Sequence, residues 1–229
     1  MTFSNFLLLR HDDQISLNVL DYVAGLTLCS KQVNGCFCKK EIGPMFKIEP
    51  FIEDCKLAIR ESDSHTAVKE LVDRAVSDPA ALMVALGKPA RGGVERLYVS
   101  EDLTILNLVW APRMTLRPHN HNMWAVIGLY TGREDNIFWR RVKGVDGGLV
   151  EAAGAASLGA GEVAPLGKDI VHSVTNPLDR CTGALHVYGG QFFTTPRSEW
   201  TPETLLEQPY DIEKNMALFE EANRYINAA

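Results

Sequence analysis

Long apolar runs are missing from this sequence. No stretch of its 229 residues approaches the roughly 18 to 20 consecutive apolar side chains that a membrane-crossing helix needs, so no membrane partner is expected. Basic clusters are equally scarce. Lys39-Lys40 and Arg140-Arg141 are isolated pairs, and the formal net charge is −6. That composition offers no footprint for nucleic acid. The five cysteines are an odd, modest number, which argues against a disulfide framework and for a reducing, cytoplasmic setting. The opening "MTFSNFLLLRHDDQ" lacks a basic lead and a small-residue cleavage site, so no secretory signal is expected.

What is present is a 46% hydrophobic chain of a length that suits one globular domain, with or without an extension. Three zones are expected. Residues 1–44 have little periodicity and read as an extension. Cys29, Cys36 and Cys38 lie there, but Cys-x-Cys is not the usual zinc-ligand spacing and no matching pair follows. Residues 45–93 read as a helical lead-in. Val68, Leu71, Val72, Ala75 and Val76 recur at helical spacing, with Asp63 or Ser64 as the cap. Asp78-Pro79 starts another short helix, which Gly87 ends. Residues 94–229 change character. Short β-branched and aromatic runs ("LTILNLVW", "WAVIGLYTG", "NIFWRRV", "VHSVTNP", "GALHVYGG") alternate with Gly, Pro, Asn and Asp. That pattern predicts an all-β sandwich or barrel. "EKNMALFEEANRYINAA" predicts a closing helix with Met216, Phe219, Ala222 and Ile226 along one side. Glu134, Asp135 and Asn136 read as a turn.

Within the β zone, "RPHNHNMW" places His119 and His121 two apart. On a strand such residues share a face, so the two imidazoles can approach one metal. Alone the pair is a weak signal. "GEVAPLGKDIVHSVTNP" adds His172, with Asn176 four residues on. Asp169, just before His172, could orient an imidazole or simply make a turn. Trp124, three residues after His121, falls on the opposite face by alternation.

Together the two stretches resemble the paired motifs of the cupin superfamily. His119, His121 and Gly132 match the first motif. Gly161, Pro165-Leu166-Gly167 and His172-Ser-Val-Thr-Asn176 match the second. The resemblance implies an all-β domain with flanking helices: a double-stranded β-helix, jelly-roll-like barrel behind an N-terminal helical segment. It implies His119, His121 and His172 as metal ligands. Many cupins add a glutamate where this chain has Ala125 and Val126, so three neutral imidazoles without a carboxylate are expected. Imidazole suits several transition metals.

"GALHVYGG" sets His186 and Tyr188 two apart. Beside a three-histidine site, that pair resembles the cysteine dioxygenase family of thiol dioxygenases, whose strand reads Ser-x-His-x-Tyr. Here the serine position is Ala184. The resemblance implies Fe(II), a small thiol such as cysteine or a mercapto-acid, and O2. It implies Tyr188 and His186 as catalytic groups, and Trp110 and Arg96 as substrate-binding groups, Arg96 pairing with a carboxylate. The family's crosslinking cysteine would fall near Val126, so no thioether is expected on Tyr188. The bland alternatives are a core histidine at 186, a packing aromatic at 188 and a surface arginine at 96. The competing functions are a carbon–carbon-cleaving dioxygenase, a zinc hydrolase and a non-catalytic metal- or ligand-binding cupin.

Overall fold

The computed structural model describes residues 45–62 and 65–226. The expectations for residues 1–44, with their three cysteines, and for a cap at Asp63 or Ser64 lie outside these residues.

Three helices come first: α1 (Ile48–Glu61), α2 (Thr66–Val76) and α3 (Pro79–Leu86). Asp78 caps α3, its carboxylate accepting from the Ala81 amide at 3.1 Å. Pro79 takes the first turn, where no amide hydrogen is needed, and Gly87 ends the helix at φ +84°. The strands are β1 (Gly93–Val99), β2 (Thr104–Trp110), β3 (Thr115–Asn120), β4 (Ala125–Thr131), β5 (Arg133–Arg141), β6 (Val150–Gly159), β7 (Val163–Leu166), β8 (Val171–Thr175), β9 (Thr182–Tyr188), β10 (Ser198–Trp200) and β11 (Glu207–Pro209). Helix α4 (Ile212–Asn223) follows. Among the described residues no helix is long and apolar enough to cross a membrane.

The strands form two antiparallel sheets, ordered β1-β2-β9-β4-β7 and β11-β10-β3-β8-β5-β6. Setting aside β1, β10 and β11, strands β2 to β9 alternate between the sheets except at the β5–β6 hairpin, as in a jelly roll, and the expected double-stranded β-helix is present. The two sheets remain separate hydrogen-bonded units with free edges, so the barrel is not closed by hydrogen bonds.

Strands β2, β4 and β9 are buried on both faces, which explains their nearly unbroken apolar runs. Ile105, Val126, Tyr130, Leu185 and Val187 point outward against Val68, Val72 and Val76 of α2 and Leu82 of α3. Trp124 joins this helical side, as alternation predicts. Gly128 permits the close approach of α2: a Cβ there would collide with Val72 and Val76. The opposite face of the same strands carries Leu108, Trp110, His186 and Tyr188 into the space between the sheets.

Two expectations are corrected. Glu134, Asp135 and Asn136 do not form a turn; they lie on β5, paired with β6 and β8. The turn is tighter, made by Gly132 at φ +81°. Helix α4 buries Asn215, Phe219 and Asn223, while Met216 remains partly exposed. Asparagines can occupy that buried ridge because their amides are used. Asn223 donates to the Gly92 carbonyl at 2.8 Å and accepts from the Gly92 amide at 2.7 Å. Asn215 donates to Glu199 and to the Asp211 carbonyl.

Candidate metal centre

His119 is the penultimate residue of β3 and stands directly across from His172 on β8. Between Leu116 and His119 the register slips, and Pro118 lies inside that irregular stretch. Proline cannot donate to the ladder, so an irregularity there is where a strand accommodates it. His121 follows just beyond the strand end. The rings converge: centroids are 5.1 Å apart for His119 and His121, 4.7 Å for His119 and His172, and 5.0 Å for His121 and His172. One nitrogen from each imidazole falls within 4.8 Å of the others, and all three residues are buried.

The three side chains fit a metal ion. The Nε2 atoms of His121 and His172 are 3.4 Å apart. Metal–nitrogen bonds of about 2.0–2.1 Å at angles of roughly 90–110° place two nitrogens about 2.9–3.4 Å apart. His119 Nδ1 donates to the Arg117 carbonyl at 2.9 Å, and His172 Nδ1 donates to Asn136 Oδ1 at 2.8 Å. Both bonds turn Nε2 toward the centre, the usual way a protein orients a ligating imidazole. Burial first of all lowers the pKa of each ring, helped for His121 and His172 by the neighbouring imidazoles; His119 falls to about 4. The rings are therefore neutral at physiological pH and free to ligate.

The cavity beside them measures about 40 Å³ and is lined by all three ligands, His186, Tyr188, Trp110 and a mostly apolar ring of side chains. Four of the chain's six histidines meet here. At about 10–15 Å³ for each water it could hold, the space admits only a few heavy atoms. A larger open groove of about 840 Å³, beside Arg113 and α4, shares no lining residue with it.

The remaining expected residues fall out as follows. His186 and Tyr188 point inward from β9, with Nδ1 and the hydroxyl 2.9 Å apart. The Tyr188 ring lies 5.1 Å from that of His121. Burial raises the Tyr188 pKa above the ordinary phenol range, so the hydroxyl keeps its proton. Burial holds His186 down to about 3. Its Nε2 finds no hydrogen-bond partner among the described residues; Ala184, on the same face, has no hydroxyl to offer. Trp110 is 2% exposed, stacks on Phe219 at 5.5 Å and donates from Nε1 to Glu134 Oε2 at 2.9 Å. Arg96 is exposed on β1, its guanidinium 3.8 Å over the Phe193 ring. It reaches the cavity only through that ring, which forms part of the lining. Asp169 lies exposed in the turn before β8; the group that orients His172 is Asn136.

Sequence reasoning missed three buried polar residues. Glu134 is fully buried and accepts from Trp110 and, at 3.0 Å, from Asn136 Nδ2. Burial raises its pKa against the lowering effect of those two bonds. Asn136 is 3% exposed and bridges Glu134 to His172. Strand alternation would have found both, since Arg133 and Asp135 pair with each other on the outer face. Arg197 is the third. It is 7% exposed, with its guanidinium 4.1 Å from the Phe192 ring and 4.2 Å from that of Tyr210. One amine donates to the Phe192 carbonyl, while Nε and Nη2 have no partner among the described residues. Its charge is felt at His119, His121 and Tyr188. No local signal marks it.

No protein-family model matches the sequence. Among solved structures, an oxalate decarboxylase variant from Bacillus subtilis is similar at 17% identity and a TM-score of 0.36, covering 46% of this chain and 27% of that one. A cupin-family protein with a double-stranded β-helix fold from Methanocaldococcus jannaschii is similar at 13% identity and a TM-score of 0.36, covering 44% and 83%. A protein of unknown function from Streptococcus pyogenes is similar at 12% identity and a TM-score of 0.36, covering 45% and 77%. The chain thus spans about a quarter of the decarboxylase. The strand order, and not these matches, defines the fold: a jelly-roll protein with a three-histidine site able to hold a metal ion.

Proposed function

We propose that this protein is an Fe(II)-dependent dioxygenase that converts a small thiol to its sulfinate with O2. The carrying observation is the His186–Tyr188 hydrogen bond at 2.9 Å, buried beside three converging imidazoles. A metal-holding protein without turnover has no use for a protonated phenol placed against its ligands. The reaction balances as thiolate plus O2 giving sulfinate: two sulfur–oxygen bonds form, the O–O bond breaks, sulfur is oxidised by the four electrons that reduce O2, and both oxygen atoms are retained.

His119, His121 and His172 would hold the iron as three neutral imidazole ligands. Iron supplies the redox step when bound, and the protein supplies binding and orientation. His186 carries its proton on Nδ1 and donates to the Tyr188 oxygen. The phenolic hydrogen is then free to point into the cavity, where it stabilises negative charge on the reacting thiolate and oxygen. Trp110 and Phe192 give the cavity aromatic walls. The 40 Å³ cavity favours a substrate with few heavy atoms beyond sulfur.

A substrate carboxylate calls for an arginine. Arg197 fits that role better than Arg96: it does not line the cavity itself but stands behind the Phe192 and Tyr210 rings that do, and its Nε and Nη2 are buried, whereas Arg96 is exposed at the rim. The substrate is accordingly a mercapto-acid or cysteine rather than an uncharged or purely cationic thiol.

The test is oxygen uptake by iron-loaded protein with cysteine, cysteamine, 3-mercaptopropionate and mercaptosuccinate. Uptake with an acid thiol, matched by stoichiometric sulfinate, is expected. No uptake with any thiol, by protein shown to hold iron, overturns the proposal.

A further inference from the structure

A directed chain of hydrogen bonds runs from Trp110 to the metal centre. Trp110 Nε1 donates to Glu134 Oε2 at 2.9 Å, Asn136 Nδ2 donates to Glu134 Oε1 at 3.0 Å, and Asn136 Oδ1 lies 2.8 Å from His172 Nδ1. Glu134 is 0%, Trp110 2%, Asn136 3% and His172 1% exposed. Water therefore cannot stand in for a missing partner.

We propose that Glu134 is a positioning residue that sets the tautomer of His172 through Asn136, and so makes that imidazole a ligand. The logic follows from what each group can do. An indole offers only a donor, and both oxygens of Glu134 accept, Oε2 from the indole and Oε1 from Asn136 Nδ2. The amide of Asn136 must turn its NH2 to Glu134, which leaves its carbonyl oxygen facing His172. That oxygen demands a hydrogen on Nδ1. The lone pair then falls on Nε2, the nitrogen facing His121 across 3.4 Å. Among the described residues no other carboxylate is hydrogen-bonded to this chain. The role belongs to the metal site itself and does not depend on the thiol reaction.

The arrangement makes one isosteric substitution unusually informative. In Glu134→Gln the indole N–H still requires an acceptor, so the new amide gives its oxygen to Trp110 and its NH2 to residue 136. Asn136 must then reverse and offer its NH2 to His172 Nδ1. The proton moves to Nε2, where it blocks coordination. Adding Asn136→Asp restores the original direction, because an aspartate accepts both from the introduced glutamine amide and from His172. Size and net charge match the wild type in this double variant, and only the position of the carboxylate has moved by one link.

The experiment uses the whole chain, stripped of metal, with 15N-labelled histidine. Long-range 1H–15N correlation reads the His172 tautomer directly, and Co(II) titration reads affinity without relying on turnover. Wild type is expected to show the Nδ1–H form. Glu134→Gln is expected to show Nε2–H and to bind Co(II) about 10- to 100-fold more weakly, the usual range for lost support of a ligand. The double variant is expected to regain the Nδ1–H form and most of the affinity. An Nε2–H tautomer in wild type overturns the proposal, and this holds even if a variant fails to fold. So does an unchanged tautomer in Glu134→Gln, or a double variant no better than the single one, which would assign Glu134 a role of packing or charge alone. Neither result bears on whether the substrate is a thiol, which oxygen uptake decides separately.

Discussion

His186 Nδ1 and the Tyr188 hydroxyl lie 2.9 Å apart on one face of β9, two residues apart in sequence. The strand is central in its sheet, between β2 and β4, so neither side chain can swing out. Tyr188→Phe removes the hydroxyl and leaves the ring. Turnover should drop about 10- to 100-fold with iron content unchanged. Metal analysis beside steady-state oxygen uptake checks this; loss of iron in the variant would contradict it.

Ala184 shares that face, and His186 Nε2 has no partner among the described residues. Ala184→Ser places a hydroxyl two residues away on the same side. A satisfied buried acceptor contributes about 1 kcal/mol, so the melting temperature should rise by a few degrees. A fall would show that the added oxygen does not reach the ring.

Arg197 is expected to recognise carboxylate. Arg197→Gln should raise KM for mercapto-acids about 10- to 150-fold, the equivalent of roughly 1.5–3 kcal/mol for a charge-assisted hydrogen bond. Any slow turnover of cysteamine should be left alone. The matched Arg96→Gln variant should change little. The opposite ranking in the same assay would return the role to Arg96.

The buried imidazoles make the metal-free protein acid-sensitive. Burial lowers His186 to about 3 and His119 to about 4, from an ordinary value of 6.5. The unfolded chain takes up protons near pH 6.5 while the folded chain does not. The stability these groups contribute is thus full above that pH and is lost as pH falls toward 4 and then 3. Each costs about 1.4 kcal/mol per pH unit across its window. Thermal melts of metal-free protein between pH 7 and 4.5 should fall steadily, and His186→Gln should flatten the slope. Equal slopes for the two proteins would contradict this account.

Gly132 tests the β4–β5 turn. Its φ is +81°, and an added Cβ would run into Thr182. Thr182 Oγ1 donates to Asn176 Oδ1 at 3.1 Å, and Asn176 Nδ2 reaches the carbonyls of Ala111 and Arg180 at 3.0 and 2.8 Å. Gly132→Ala should cost at least the roughly 1–3 kcal/mol of a strained backbone, read as a lower denaturant midpoint with an unchanged slope. The glycine and asparagine of the two motifs thus act on the fold, while the histidines act on the metal.

Local pattern alone was enough for a good part of this molecule. The i, i+2 spacing of His119 and His121 marked both as facing one side, although only His119 lies on β3 and His121 follows the strand end. Asp78-Pro79 and Gly87 bound α3 because capping is chemistry within a few residues. The unbroken apolar runs of β2, β4 and β9 announce strands covered on both sides. What tertiary structure decided lies elsewhere. Glu134 and Asn136 look like turn residues in sequence, because acidic and amide side chains beside a glycine usually are solvated. They are strand residues here because β8 and Trp110 bring His172 and an indole within hydrogen-bonding distance, from 36 and 24 residues away. Arg197 likewise reads as a surface arginine until the rings of Phe192 and Tyr210 enclose it. A charged or amide side chain is costly to bury without partners, and those partners, distant in the chain, exist only once the two sheets have closed on each other.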